Sequence, residues 1–178
     1  MWGGGEVVKH VESTGVMATV NLSNGTFFDI DEVEKIQVAI VVAKWNTEIT
    51  DALYNGAKET LLRFGFKPEN IHKHYVPGSF ELALGAKWLA GQSKIQGVIC
   101  LGCIIRGETP HFEFVSMATA QGIQDVALQS QKPIVFGVLT DDHIQQSMDR
   151  SGGEKGNKGV EAAFTLAEMI HLKKSLHS

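Results

Sequence analysis

The sequence predicts an α/β domain, a doubly wound sheet of four parallel strands with helices on both faces. Three observations lead there. Four short runs, Ile36–Ala43, Ile71–Val76, Gly97–Ile105 and Pro133–Thr140, are rich in valine and isoleucine. The first is apolar without alternation, as in a strand covered on both faces. Each run is followed by residues with apolar side chains at helical spacing, and strands alternating with helices make a parallel sheet. Finally, 178 residues that are 43% hydrophobic and 20% charged suit one ordinary core.

The elements follow in chain order. Residues 1–34 are irregular, glycine-rich at first and acidic at Asp29–Glu34. They are expected to form an N-terminal extension ahead of a domain over 35–178. A short strand at Thr19–Leu22 or Phe27–Phe28 would suit pairing with a neighbouring subunit, and Met17 is an alternative start. After the first strand, Asn46 or Thr47 is the candidate cap of a helix carrying Ile49, Leu53, Ala57, Leu61 and Phe64, which Gly65 stops. Pro77-Gly78 ends the second strand, and a helix spans Ser79 to Ala90. The third strand turns at Arg106-Gly107 into a helix from Pro110 to about Gln129, with Thr109 as cap and Pro110 at the first helical position. After the fourth strand, Asp141 or Asp142 caps a short helix to Arg150. Ser151–Gly159 is a loop, and a last amphipathic helix runs through Val160, Phe164 and Ala167 to about Leu176. With right-handed crossovers this is a flavodoxin-like sheet.

Several function classes fall away. A formal net charge of −4 with scattered basic residues argues against nucleic acid. No run reaches the roughly 18 to 20 apolar residues of a membrane span. The start lacks the basic and apolar regions of a secretory signal, which favours the cytoplasm. The acceptor patterns at Asn21 and Asn24 are then chance matches. Cys100-Leu-Gly-Cys103 sits within a strand, so the two thiols face opposite sides and read as core or pocket-lining groups. The seven histidines form no metal-ligand set, and there is no Gly-x-Gly-x-x-Gly and no Gly-x-Ser-x-Gly. A metal centre, a nicotinamide cofactor and serine hydrolysis fall away on these grounds.

In such a sheet the carboxyl ends of all strands share one rim, where ligands bind. That rim carries Trp45-Asn46, then Gly78-Ser79-Phe80-Glu81, then Arg106 to His111, with Phe136 on the fourth strand. Aromatic faces beside convergent polar groups suit a small planar ligand. A helix start offers free N–H groups to an anion, and a histidine beside it can move protons near neutral pH. The loop Gly152–Gly159 fails the phosphate-loop pattern and follows a helix, but gathers Arg150, Lys155 and Lys158.

Trp45-Asn46, Pro77-Gly-Ser-Phe-Glu81, Leu101-Gly-Cys-Ile-Ile-Arg-Gly-Glu-Thr-Pro-His-Phe-Glu113, Pro133–Thr140 and Gly156-Asn-Lys-Gly159, in that order, closely resemble the lumazine synthase family of riboflavin biosynthesis. The resemblance covers about residues 36–176. It implies condensation of 5-amino-6-(D-ribitylamino)uracil with 3,4-dihydroxy-2-butanone 4-phosphate, without a cofactor. By motif, it implies that Trp45 stacks on the pyrimidine with Asn46 nearby, and that Ser79, Phe80 and Glu81 contact the ribityl chain. Cys103, Ile104 and Ile105 would line the pyrimidine pocket through their backbone. Glu108 and Thr109 would meet the phosphate substrate, and His111 would be the proton donor. Phe136 and Arg150 would come from a neighbouring subunit, Arg150 holding phosphate and Lys158 supporting that edge. The resemblance further implies self-association into pentamers, in some members twelve pentamers closing into an icosahedral shell, and riboflavin synthase as a partner.

The chain departs from the pattern in three places. Trp45 stands where many members have phenylalanine, Glu154 puts an acid near the phosphate end, and the N-terminus is long. Three other readings remain open on sequence alone: an archaeal-type riboflavin synthase, a flavin or lumazine carrier, and a structural shell protein. The first would take two lumazines, the second would not need His111 and Arg150 together, and the third would need no polar pocket.

Overall fold

A computed structural model describes residues 25–176. Strands β1 (Gln37–Ala43), β2 (Ile71–Val76), β3 (Ile95–Ile105) and β4 (Ile134–Asp141) form one parallel sheet in the order β2-β1-β3-β4. The helices are α1 (Thr47–Arg63), α2 (Leu82–Ala90), α3 (His111–Ser130), α4 (Ile144–Asp149) and α5 (Lys158–Ser175). This is the expected flavodoxin-like α/β architecture.

The unbroken apolar character of β1 follows from its two covered faces. Val38, Ile40 and Val42 pack with Leu53 and Leu61 of α1 and Phe164 and Leu166 of α5. Ala39, Val41 and Ala43 pack with Leu82 and Ala86 of α2 and Ile123 and Val126 of α3. Each buried leucine, isoleucine or phenylalanine contributes about 1.5–3 kcal/mol through removal of apolar surface from water. β2 lies at the sheet edge and tolerates His72-Lys73-His74; His72 pairs with Gln37 at 2.9 Å.

The chain therefore leaves β1 toward one face, into α1, and leaves β3 toward the other, into α3. Their neighbouring carboxyl ends diverge and open a crevice, the switch point at which open α/β sheets bind ligands.

Several local expectations change. Of the two candidate strands before residue 35, Thr19–Leu22 lies outside the described residues. Phe27–Phe28 forms no strand and packs instead, Phe27 lying 4.6 Å from the Phe64 ring and 4.9 Å from the Phe164 ring. Thr109 does not cap α3: Pro110 occupies the cap position, His111 is the first helical residue, and no side chain closes that end. Asn46 occupies the α1 cap position but sends its amide elsewhere, and Thr47 turns back to the Lys44 carbonyl at 2.6 Å. Neither Asp141 nor Asp142 caps α4; His143 is the cap residue, and the Gln146 amide oxygen accepts from the N–H groups of Asp142 and His143. Ser79–Glu81 is a separate 3₁₀ turn before α2.

The loop after α4 is a small antiparallel hairpin, β5 (Ser151–Gly153) and β6 (Gly156–Asn157), rather than irregular chain. Asn157 is its anchor. The side-chain oxygen accepts from the N–H groups of Gly159 and Val160, capping α5, while the amide nitrogen donates to the carbonyls of Ala52 and Ser151. One side chain thus joins α5, α1 and the hairpin. Gly159 permits the approach: a Cβ there would stand 1.9 Å from the Leu53 carbonyl oxygen.

Two substitutions test this anchor by urea unfolding. Asn157→Ala is expected to destabilise by about 2 kcal/mol, from a lost cap and the loss of the two side-chain bonds to the Ala52 and Ser151 carbonyls. Gly159→Ala is expected to cost more, because backbone, not a flexible side chain, must move.

Candidate active site

The crevice between the ends of β1 and β3 is an open groove of about 940 Å³. Trp45, Asn46, Ser79, Phe80, Glu81, Cys103, Ile104, Ile105, Thr109 and His111 all line it, with Gly78, Gly107, Phe112, Phe114, Val115 and Ala118. Trp45 is 69% exposed and Phe80 60%, so neither ring belongs to the core. Both faces are open to a planar ligand. Glu108 is exposed and lies outside the lining, although it sits in the turn between Gly107 and Thr109.

Local chemistry explains how the chain holds these groups. Asn46 adopts a left-handed backbone conformation, φ 57°, which asparagine tolerates better than most residues. That conformation aims its amide across the crevice, where it donates to the Cys103 carbonyl at 3.1 Å. One backbone acceptor of the expected pyrimidine pocket is thus already engaged by Asn46. Glu81 folds back to accept from the Gly78 N–H at 2.9 Å. Gly78 suits this close approach, since a Cβ would lie 3.2 Å from both the Glu81 carboxylate and the Trp45 ring and would press on them. The Ser79 hydroxyl is buried without a hydrogen-bond partner, on the sheet side of the turn, 2.5 Å from where a Cβ on Gly102 would stand.

The remaining predicted residues gather elsewhere on the chain. Arg150 and Lys158 line a small cleft of about 380 Å³ with Thr140, Asp141, Gln146 and Lys155. Phe136 is half-buried on edge strand β4, facing an apolar groove of about 810 Å³ between α3 and α5. It is paired with Cys100 in the middle of β4, not at the rim where the sequence placed it. The groove and the Arg150 cleft share no lining residue.

Sequence reasoning missed Glu161. It is buried, and its carboxylate accepts from Arg150 at 3.2 Å and from Lys158 at 2.9 Å. An acid in the first turn of a helix has an ordinary explanation in the helix dipole, so nothing in the sequence set it apart. Ser147 was also missed. It is fully buried, accepts from the Cys103 thiol at 3.3 Å and donates to the Asp141 carboxylate at 2.6 Å. This chain links the groove floor to the cleft. Among the described residues, no group of three or more His, Cys, Asp or Glu side chains is placed to hold a metal ion, and no helix is long and apolar enough to cross a membrane.

Comparison with known proteins follows the same outline. The model of the 6,7-dimethyl-8-ribityllumazine synthase family matches residues 35–174. A protein of that name from Cytophaga hutchinsonii is 54% identical over 131 residues, covering 74% of this chain and 82% of its own. One from Parabacteroides distasonis is 48% identical over 157 residues, covering 87% of this chain and 98% of its own. One from Thermus thermophilus is 45% identical over 141 residues, covering 79% and 90%.

The thiols provide a test of the site's interior. Both cysteines are free and buried, on opposite faces of β3. Burial pushes the Cys100 thiol up to about 12 and also raises Cys103, which the Ser147 and Asn46 contacts partly offset. Only thiolate reacts, so iodoacetamide at pH 8 is expected to leave both unmodified in the native protein and to label both in urea, read by mass.

Proposed function

The chain belongs to the 6,7-dimethyl-8-ribityllumazine synthase family, and we propose that the groove is where its two substrates meet. The reaction joins 5-amino-6-(D-ribitylamino)uracil to 3,4-dihydroxy-2-butanone 4-phosphate. One observation carries this reading. The start of α3 is open, no side chain caps it, and His111 stands on its first turn in a groove with two exposed rings. Unpaired N–H groups there suit the phosphate, and the rings suit the pyrimidine.

The chemistry asks for position and proton transfer. The pyrimidine's amine attacks the ketone and water leaves to give an imine. Phosphate then departs, and the second amine closes the ring with loss of another water. We assign Trp45 and Asn46 to the pyrimidine side, with Cys103, Ile104 and Ile105 along its edge. Ser79, Phe80 and Glu81 take the ribityl chain, and their place side by side in the groove lining supports this. Glu108 and Thr109 flank the phosphate, and His111 moves the proton. Holding two reactants in one orientation supplies much of the acceleration.

Phe136, Arg150 and Lys158 enter from a neighbouring copy. Their place on another surface supports this, as do the exposed apolar side chains Phe114, Met117 and Leu128 on α3, Met169 and Leu172 on α5, and Leu176 just past its end. Two different patches meeting head to tail close a ring. A pentamer is the assembly we assign, with an icosahedral shell and contact with riboflavin synthase as further levels. The two free thiols suit a reducing cytoplasm.

Mixing protein with both substrates and following lumazine fluorescence tests the reaction; no product above the uncatalysed rate overturns it. A flavin spectrum in the protein alone would instead favour a carrier. His111→Ala is expected to lower kcat by about 10²-fold while leaving measurable turnover, the usual worth of one acid–base group. Arg150→Ala is expected to raise KM for the phosphate substrate by about tenfold or more, as loss of a charge-assisted contact does. Wild-type constants in that variant would remove Arg150 from the site.

A further inference from the structure

Arg106 stands at the join of β3 and α3, and nothing in the reaction as derived above uses it. Its backbone N–H donates to the Asp141 carbonyl at 2.9 Å, which continues the pairing of β3 with β4. Its guanidinium reaches in two directions. Nε donates to the Asp142 carboxylate at 2.5 Å, and a terminal nitrogen donates to Glu113, in the first turn of α3. The same group lies over the Phe112 ring at 4.2 Å, and Phe112 lines the groove.

What this cation holds is otherwise loose. Residues 106–111 are all exposed, and a Cβ at Gly107 would meet nothing within 4 Å. Among the described residues, neither Glu108 nor Thr109 makes a side-chain hydrogen bond with the rest of the protein. Yet this unpacked turn must present the open end of α3 in one orientation. A single exposed ion pair would do little. A planar fork fixed by two carboxylates and a ring face is different, because it leaves the guanidinium one orientation. The Glu113 carboxyl is held below its usual range by Arg106, in keeping with a formed contact.

We infer that Arg106 is a positioning residue: its clamp on Asp142, Glu113 and Phe112 pre-orders the turn that offers the start of α3 to the phosphate-bearing substrate. The clamp also ties that turn to the β4–α4 connection, the segment leading to Arg150. The inference rests on the reaction proposed above. A free arginine beside an anion site could instead act by charge alone, and the two roles predict opposite effects of removing a carboxylate.

Assembled wild-type protein, Arg106→Lys, Arg106→Gln and Asp142→Asn are compared by steady-state kinetics, titrating each substrate in turn. KM for the butanone phosphate is expected to rise about tenfold in all three variants, on the order of one lost charge-assisted contact. KM for the pyrimidine is expected to stay within about twofold. Inhibition by inorganic phosphate should weaken in parallel. Asp142→Asn is the deciding variant, because deleting a negative charge near a phosphate would by charge alone lower KM. The inference is overturned if Arg106→Lys restores the wild-type KM, or if Asp142→Asn leaves KM unchanged or lowers it. Should the arginine variants fail to assemble, the Asp142→Asn result decides alone. A wild-type protein that makes no lumazine refutes the reaction itself, and that control is read first.

Discussion

The parting of the chain at the ends of β1 and β3 is the constraint on which the rest depends. Two adjacent parallel strands that send their helices to opposite faces cannot close the space above them. The protein spans this gap with one hydrogen bond, from the Asn46 amide to the Cys103 carbonyl. That bond explains why a residue in a helix-cap position accepts a left-handed conformation and gives up its cap. Trp45 is then held at the lip of the crevice beside Gly78, where its ring stays open to solvent instead of collapsing into the core. A flat apolar face kept in water is an unfavourable arrangement that a ligand relieves.

The charges are organised on the same plan. Arg150 and Lys158 both lean on one buried carboxylate, Glu161, and that contact limits the conformations of two long side chains. A buried carboxylate is costly unless paired, and two cations leave a surplus positive charge facing the cleft. Lys155 adds to it from the hairpin. Asn157 matters for this reason beyond its own hydrogen bonds, since it sets where α5 begins and so where Lys158 and Glu161 project.

Much of this was legible in the sequence, and the limits are physical. The strands, the helices and seven of the groove residues were readable because periodicity and strand-end position are local properties, while Cys103, Ile104 and Ile105 were placed there by the family resemblance. Caps were misread at Thr109, Asp141 and Asp142, whereas Asn46, one of the two candidates for α1, holds the cap position without a capping hydrogen bond from its side chain. At Asn46 the tertiary partner, a carbonyl 57 residues away, outweighed the local one. Phe136 was placed at the rim because a strand's residues look alike until register is known; its pairing with Cys100 puts it mid-strand. Glu161 and Ser147 carry no local mark at all, because their role comes from what other elements bring to them. The hairpin at 151–157 read as loop since each of its strands has three residues or fewer, too short for alternation to register.

The separation of the groove from the cationic cleft has a further consequence. A single copy holds Trp45, Phe80 and His111 on one surface and Arg150, Lys155 and Lys158 on another. If they work together, each working site needs two copies, and each copy serves two sites. Activity then depends on association, and a substitution in the apolar groove along β4 would act on the chemistry without touching a substrate. It also follows that the interior need not be reactive. Both thiols are held protonated by burial, and the Cys103–Ser147–Asp141 chain ties groove to cleft as structure. What a site of this kind contributes is orientation, set by how the groove and the cleft are each built from fixed elements of the fold.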